Sequence, residues 1–143
     1  MSTTTRAVGE VDVKGLLGRR ILIVEDAFLI ALDLCEQLES CGCTVAGPAG
    51  RLRRALDLAE HEELDGAVLD VNLAGELSFP VAAALAARNI PYVFLTGYDD
   101  DAAFPPEYRN IVRIAKPFRS SDLAPMLAGY LGGRREGVEA KAK

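Results

Sequence analysis

ILIVED, residues 21–26, joins four consecutive apolar residues to an acidic pair, Glu25 and Asp26. An apolar run without alternation is typical of a strand that is buried on both faces, as strands are in parallel sheets. AVLD, residues 67–70, repeats the pattern, with Asp70 directly after the apolar run. The two stretches therefore predict a parallel sheet whose strands carry acidic side chains at their carboxyl ends.

Further apolar runs lie at residues 92–95, at 111–114 with Arg113 as an interruption, and more weakly at 44–46. Residues at helical spacing separate these runs: Leu29, Leu32, Leu34 and Leu38 before Gly42; Leu52, Ala55, Leu56 and Ala59; Val81, Ala84 and Leu85 after Ser78 as N-cap; and Leu123, Met126, Leu127 and Leu131. Because each parallel crossover needs a covering helix, the alternation predicts a doubly wound α/β domain with five strands and about five helices.

The domain is predicted to occupy residues 18–131. Residues 1–17 are expected to form a flexible N-terminal extension, and residues 132–143, which lack periodicity, a disordered C-terminal tail. Between residues 98 and 110, three consecutive aspartates precede Pro105 and Pro106, which cannot continue a helix. This crossover is therefore predicted to contain a short or mobile fourth helix.

Composition narrows the classes of function. The net charge of −5 results from a mixture of acidic and basic residues rather than from clustered positive charge, which argues against nucleic-acid binding. No run approaches the roughly 20 apolar residues of a membrane span. Three cysteines, Cys35, Cys41 and Cys43, form an odd set, and the only histidine, His61, is too distant in sequence to complete a zinc site with them. We expect reduced thiols in a cytoplasmic protein.

Ligands of an open parallel sheet bind outside the carboxyl ends of its strands. Three carboxylates gathered there repel one another unless a cation lies between them, and an oxygen-only site that keeps waters favours Mg2+. The backbone carbonyl of Asn72 is in position to add a neutral ligand. The predicted strand ends deliver these polar residues: Glu25, Asp26, Asp70, Thr96 and Lys116.

Such a site suits phosphoryl transfer, in which a carboxylate attacks phosphorus and positioning and charge neutralisation do most of the work. Lys116 can neutralise a phosphoryl oxygen, and the Thr96 hydroxyl can donate to another. A cis bond at Pro117 would aim Lys116 into the crevice. Each residue alone is typical of a turn or a cap, so the hypothesis depends on their joint order along successive strands.

Four segments together resemble the receiver domain of bacterial two-component systems, of the CheY-like superfamily: ILIVED at 21–26, AVLDVNL at 67–73, FLTG at 94–97 and KPF at 116–118. The resemblance implies a five-stranded sheet in the order 2-1-3-4-5. It also implies that Asp70 is the phosphoacceptor, that Glu25 and Asp26 help to hold Mg2+, and that Thr96 and Lys116 report phosphorylation.

We expect a stand-alone, monomeric response regulator, because nothing in the sequence resembles an output domain. The resemblance implies that it receives its phosphoryl group from a sensor histidine kinase or a histidine phosphotransfer protein. It would signal through contacts with an unidentified downstream protein. It would not be an enzyme beyond catalysing its own phosphorylation and dephosphorylation.

Two positions depart from most receivers. Arg113 stands three residues before Lys116, where most members carry a Tyr or Phe that flips on activation. Residues 94–98 are similar to the Phe-Ala-Thr-Gly signature of an atypical subfamily, with Leu95 in place of Ala. We therefore predict that signalling runs through ordering of residues 98–110, with Tyr98 as a participant.

Two alternatives remain at this point. A phosphatase of the haloacid dehalogenase type also uses an aspartate, a hydroxyl, a lysine and Mg2+, but its extra acidic residues come last in the chain, and a second aspartate usually stands where this chain has Asn72. A receiver-shaped interaction module that no longer accepts phosphate is the other. Arg113 favours that module, whereas the complete set of crowded carboxylates argues against it.

Overall fold

The computed structural model describes residues 14–97, 104–108 and 110–141, and gives only the backbone for Lys14, Ser120 and residues 132–141. The strands are β1 (Arg20–Val24), β2 (Thr44–Ala49), β3 (Gly66–Asp70), β4 (Asn72–Leu73), β5 (Glu76–Leu77), β6 (Tyr92–Thr96) and β7 (Arg113–Ala115). The α-helices among these residues are α1 (Phe28–Ser40), α2 (Leu52–His61), α3 (Phe79–Ala87) and α4 (Ser120–Lys141). Two short 3-10 helices span Lys14–Leu16 and Pro106–Tyr108.

The main sheet has five parallel strands in the order β2-β1-β3-β6-β7. Counting only the strands of this sheet, the order is 2-1-3-4-5, so the predicted fold is confirmed. β4 and β5 form a separate two-stranded antiparallel hairpin directly after β3. The carboxyl ends of β1, β3, β6 and β7 therefore lie along one edge.

Helices cover both faces of the sheet. Leu22 and Val24 of β1 pack with α2 and α3 on one face, whereas Ile21 and Ile23 pack with α1 and α4 on the other. Successive side chains of a strand point to opposite faces, so a strand covered on both sides needs apolar residues at every position. This explains the unbroken apolar runs in the sequence.

Helix α1 buries only some of the apolar residues that indicate it in the sequence. It buries Ala31, Leu34 and Leu38, while Leu29 is 74% and Leu32 43% exposed. Positions 31, 34 and 38 follow one face of a helix, and residues 29 and 32 fall outside it. The helix ends before Gly42, whose φ of +91° is the left-handed conformation expected there.

Both ends of the described chain differ from the sequence prediction. The predicted flexible extension reaches residue 17, yet Leu16 is fully buried and Gly15 packs directly on the backbone of Ala128 in α4. Residues 1–13 lie outside the described residues. Where a disordered tail is predicted from residue 132, α4 instead continues to Lys141, although residues 132, 133 and 137 are glycines.

In its described part, the crossover between β6 and β7 contains one 3-10 turn, Pro106–Tyr108. This turn agrees with the prediction of a short fourth helix. The last strand begins at Arg113 rather than at residue 111, so Arg113 is part of β7, with an exposed side chain. At the opposite edge, β2 contains Gly47 with a φ of +92° and then Pro48, and the register between β1 and β2 shifts there. No helix among the described residues has the length and apolar character needed to cross a bilayer.

Candidate metal centre

Three carboxylates meet at the carboxyl edge of the sheet. Glu25 and Asp26 follow β1 and Asp70 ends β3, and one carboxylate oxygen from each lies within 4.8 Å of the others. Glu25 and Asp70 are buried, with 2% and 3% exposure, whereas Asp26 is exposed. The carboxylates therefore form a crevice that opens to solvent at Asp26.

The Glu25 side chain is held from both sides. Its Oε2 accepts a hydrogen bond from the Ala27 N–H at 3.0 Å, and its Oε1 lies 3.1 Å from the Lys116 ammonium. Oε1 is buried and accepts no hydrogen bond. The Lys116 ammonium is thus its one charged neighbour in the described residues that the structure pairs with it, and a carboxylate oxygen with no hydrogen bond can still serve as a ligand for a cation.

Lys116, which directly follows β7, borders the crevice on the side of β6 and β7. Its Nζ lies 3.2 Å from Asp70 Oδ1, and its backbone N–H donates to the Thr96 carbonyl at 2.8 Å. The bond between Lys116 and Pro117 is cis. The two distances show that one ammonium group is shared between the buried carboxylates of Glu25 and Asp70.

Burial, with the nearby charge of Glu25, raises the pKa of Asp70 to about 7, against the opposing effect of Lys116. Burial lowers the pKa of Lys116, but Asp70 and Glu25 outweigh it and the net pKa is raised. Lys116 therefore stays charged while Asp70 tends to hold a proton. Added positive charge in the crevice would release that proton.

The donor set fits Mg2+. All three candidate ligands are carboxylates, and one ammonium does not balance their charge. The side-chain oxygen of Asn72 is already used by the Gly75 N–H, at 2.7 Å, which leaves its backbone carbonyl for an ion. That carbonyl ligand stays a prediction.

Ser78 supports the crevice in a way that the sequence does not reveal. It precedes α3 as predicted for an N-cap, but its side chain makes no capping hydrogen bond. Instead the fully buried hydroxyl donates to the main-chain oxygen of Asp70 at 2.6 Å, and the Ser78 N–H donates to the Val71 carbonyl at 2.8 Å. These bonds fix the backbone that follows Asp70.

Thr96 is buried at the end of β6, and Phe94, two residues earlier, belongs to an aromatic cluster. The Phe104 ring lies 5.2 Å from that of Phe94, and the Arg113 guanidinium carbon lies 4.6 Å from the Phe104 ring centroid. Arg113 thus contacts the crossover segment from the position where most receivers carry an aromatic residue. Tyr98 lies outside the described residues. Among the described residues, the cluster comprises Phe79, Tyr92, Phe94, Phe104 and Tyr108.

The three cysteines are not arranged with His61 as ligands of a metal ion. Burial raises the pKa of Cys43 to about 11. The Cys43 thiol donates a hydrogen bond to the Leu16 carbonyl oxygen, at 3.3 Å. All three cysteines are free, and His61 contacts Asp57 instead. Across residues 14–97, 104–108 and 110–141, the acidic crevice is the one cluster of at least three residues with a metal-ligating geometry.

Comparison with known proteins agrees with the fold: the chain belongs to the response-regulator receiver-domain family. It is similar to SdrG from Sphingomonas melonis Fr1, with 43% identity and a TM-score of 0.66 over 79% of this chain and 96% of SdrG. The transcriptional regulatory protein PdtaR of Mycobacterium tuberculosis is 33% identical over 119 residues, which are 81% of this chain and 58% of PdtaR. No family model matches the chain.

A CheY-like receiver domain protein from Methanospirillum hungatei JF-1 shares the fold, with a TM-score of 0.73 at 24% identity over 84% of this chain and 98% of that protein. The chain spans about half the length, 44–58%, of the curated relatives that it matches. Membership of this family excludes the alternative of a haloacid dehalogenase-type phosphatase.

Proposed function

We propose that the chain is a phosphoacceptor switch in which Asp70 accepts a phosphoryl group from a phosphohistidine in a Mg2+-dependent reaction. The observation that carries this proposal is the position of the Lys116 ammonium, 3.1 Å from Glu25 and 3.2 Å from Asp70 beside the exposed Asp26. One fixed cation among three carboxylates leaves a net negative charge that Mg2+ would balance. Asp26 keeps the site open to a donor.

In the transfer step, an Asp70 carboxylate oxygen attacks phosphorus, so that an O–P bond forms while the N–P bond of the phosphohistidine breaks and its electron pair returns to the imidazole nitrogen. Lys116 and the Thr96 hydroxyl each meet a phosphoryl oxygen. When bound, Mg2+ supplies charge neutralisation for the carboxylates and the phosphoryl group. Attack by water later returns Asp70 and inorganic phosphate, so the domain acts only on itself.

The donor, a sensor histidine kinase or a histidine phosphotransfer protein, has to bring its histidine to Asp70 and must therefore cover the rim of the crevice. An apolar groove adjoins that rim at Lys116, and Leu29 in it is 74% exposed. We assign the donor to this surface, called the apolar groove below, because exposed apolar residues beside a site mark protein contacts. It is lined by Leu29, Ile30, Asp33, Leu34, Lys116, Pro117 and Phe118.

The output is a change of order in residues 98–110 that a downstream protein reads. Phe104 and Tyr108 are the described parts of this segment that reach the core, through the aromatic cluster next to Thr96. A phosphoryl group that draws the Thr96 hydroxyl towards itself would act on β6 and so on this cluster. Tyr98 follows Thr96 by two residues in the sequence and is the proposed participant.

Amide NMR on the full chain tests the proposal, first without metal, then with Mg2+, and then with Mg2+ and the phosphoryl mimic beryllofluoride. We expect Mg2+ to shift the amides of Glu25, Asp26 and Asp70, and the mimic to shift Thr96, Lys116 and residues 98–110. Unperturbed amides throughout would instead identify a receiver-shaped module that has lost phosphate acceptance.

A further inference from the structure

A second groove lies on the opposite face of the sheet from the apolar groove. Its cationic residues are Arg51, which directly precedes α2, and Arg53 and Arg54 in the first turn of that helix, and all three are exposed. Asp57 and Glu76 complete its lining. We call this surface the arginine groove.

The three guanidinium groups of the arginine groove have no carboxylate partner. Within the described residues, none of them forms an ion pair or a side-chain hydrogen bond. Other arginines do: Arg20 lies 2.7 Å from Glu62, and Arg119 lies 3.5 Å from Asp122. Three unpaired arginines within four residues, on a chain of net charge −5, make a local positive surface on an acidic molecule.

The arginine groove adjoins the crevice. Gly50, the residue before Arg51, is so close to Asp26 that a Cβ on it would lie 3.4 Å from the Asp26 Cα. On the other side, Glu76 belongs to the hairpin that follows Asp70. A partner in this groove would therefore touch the segments after β2 and β3, while the face of α1 stays free for a donor.

We propose that the arginine groove binds an acidic segment of a partner protein. The planar guanidinium group pairs with carboxylates in a bidentate manner, and the partial positive charge at the start of α2 adds to the attraction. A polypeptide suits the groove better than a nucleic acid, because Asp57 and Glu76 would repel an unbroken row of phosphates. The same two carboxylates can pair with a basic residue within the acidic segment. This goes beyond the phosphoacceptor function and requires no phosphoryl transfer.

The test is NMR titration of the full chain, reading backbone amides and arginine Nε–Hε signals. The probe is a short synthetic peptide rich in glutamate that contains one lysine. We expect saturable shifts at Arg51, Arg53 and Arg54, and a Kd that rises about tenfold or more in the double variant Arg53→Glu with Arg54→Glu. Arg119→Glu is the control and should leave the Kd within about twofold, because Arg119 is exposed in the loop before α4 and does not line the arginine groove.

The absence of saturable shifts, or an equal rise of the peptide Kd in the double variant and in Arg119→Glu, would overturn the proposal. So would tighter binding of an oligothymidine at the same arginines or the same shifts with inorganic phosphate alone. Concentration-dependent self-association through this face would overturn it as well. The titration is run without Mg2+ and repeated in Asp70→Asn. An unchanged Kd there separates this proposal from the phosphoacceptor function, so either can fail alone.

Discussion

Asp70 is the residue on which the proposed chemistry depends, and its replacement by Asn is the most direct test at this scale. We expect Asp70→Asn to abolish phosphoryl uptake from acetyl phosphate with Mg2+, because the amide is not a nucleophile toward phosphorus. The fold should persist, since one of three crowded carboxylates is removed. Intact-mass spectrometry measures the uptake.

Asp57→Asn is the matched control for Asp70→Asn. Asp57 is exposed in α2 and faces His61 rather than the crevice. This variant should take up one phosphoryl group as the unmodified chain does. Labelling that survives in Asp70→Asn would place the acceptor on another residue.

Ser78 gives a second prediction at the residue scale. Ser78→Ala removes the buried donor to the Asp70 carbonyl and should lower the free energy of unfolding by about 1–3 kcal/mol. Ser40→Ala is the control: its hydroxyl also donates to a backbone carbonyl, that of Gln37 at 2.7 Å, but on an exposed surface. Urea denaturation of both variants measures the difference. Equal decreases in the free energy of unfolding would show that the buried hydrogen bond stabilises the fold no more than the exposed one.

At the scale of elements, the segment 104–108 is attached to the sheet through aromatic rings. Phe104 is 7% exposed and packs at 5.3 Å from Phe79 and 5.2 Å from Phe94. Phe104→Ala should therefore lower the free energy of unfolding by about 3 kcal/mol and shift the amides around Thr96. Phe28→Ala is the control, because that ring is 74% exposed and should cost less than about 0.5 kcal/mol. If the two variants are equally stable, the segment is not anchored by this ring.

The elements also show what the sequence can and cannot predict. The parallel strands are predictable because helices cover both faces of the sheet, which favours the unbroken apolar runs at residues 21–24, 67–69 and 92–95. The carboxylates are predictable because they lie at or directly after the ends of those runs. Helix α1 is predictable as a helix, but it has more apolar residues than one face can hold, so the spacing alone does not reveal that Leu29 and Leu32 are exposed. The burial of Leu16 depends on packing against α4, which leaves no periodic signal in a three-residue turn.

For the whole molecule, the raised pKa of Asp70 predicts how stability depends on pH without metal. Its pKa is 3.8 when unperturbed and about 7 in the fold, so the folded state holds a proton that the unfolded chain has lost. Between these values stability falls as pH rises, by up to about 1.4 kcal/mol per pH unit from this group. The contribution is complete below the lower value and lost above the upper one.

Urea midpoints in a chelator, taken across this range, measure the effect. Asp70→Asn should show a shallower fall, and saturating Mg2+ should flatten the curve of the unmodified chain by binding the ionised carboxylates. Identical slopes with and without Asp70 would mean that the carboxyl is ionised in the metal-free fold.

The two margins of the sheet bear on how copies of the chain behave towards each other at high concentration. An edge strand with unpaired backbone groups can pair with a strand of another copy. Proteins avoid this kind of aggregation by making edge strands short, charged or irregular. Here β7 offers three residues with the charged Arg113 facing out, and β2 is broken by Pro48, which has no N–H to offer. Both features disfavour pairing of an edge strand with another copy of the chain, so we expect the chain to tolerate high concentration without forming fibres.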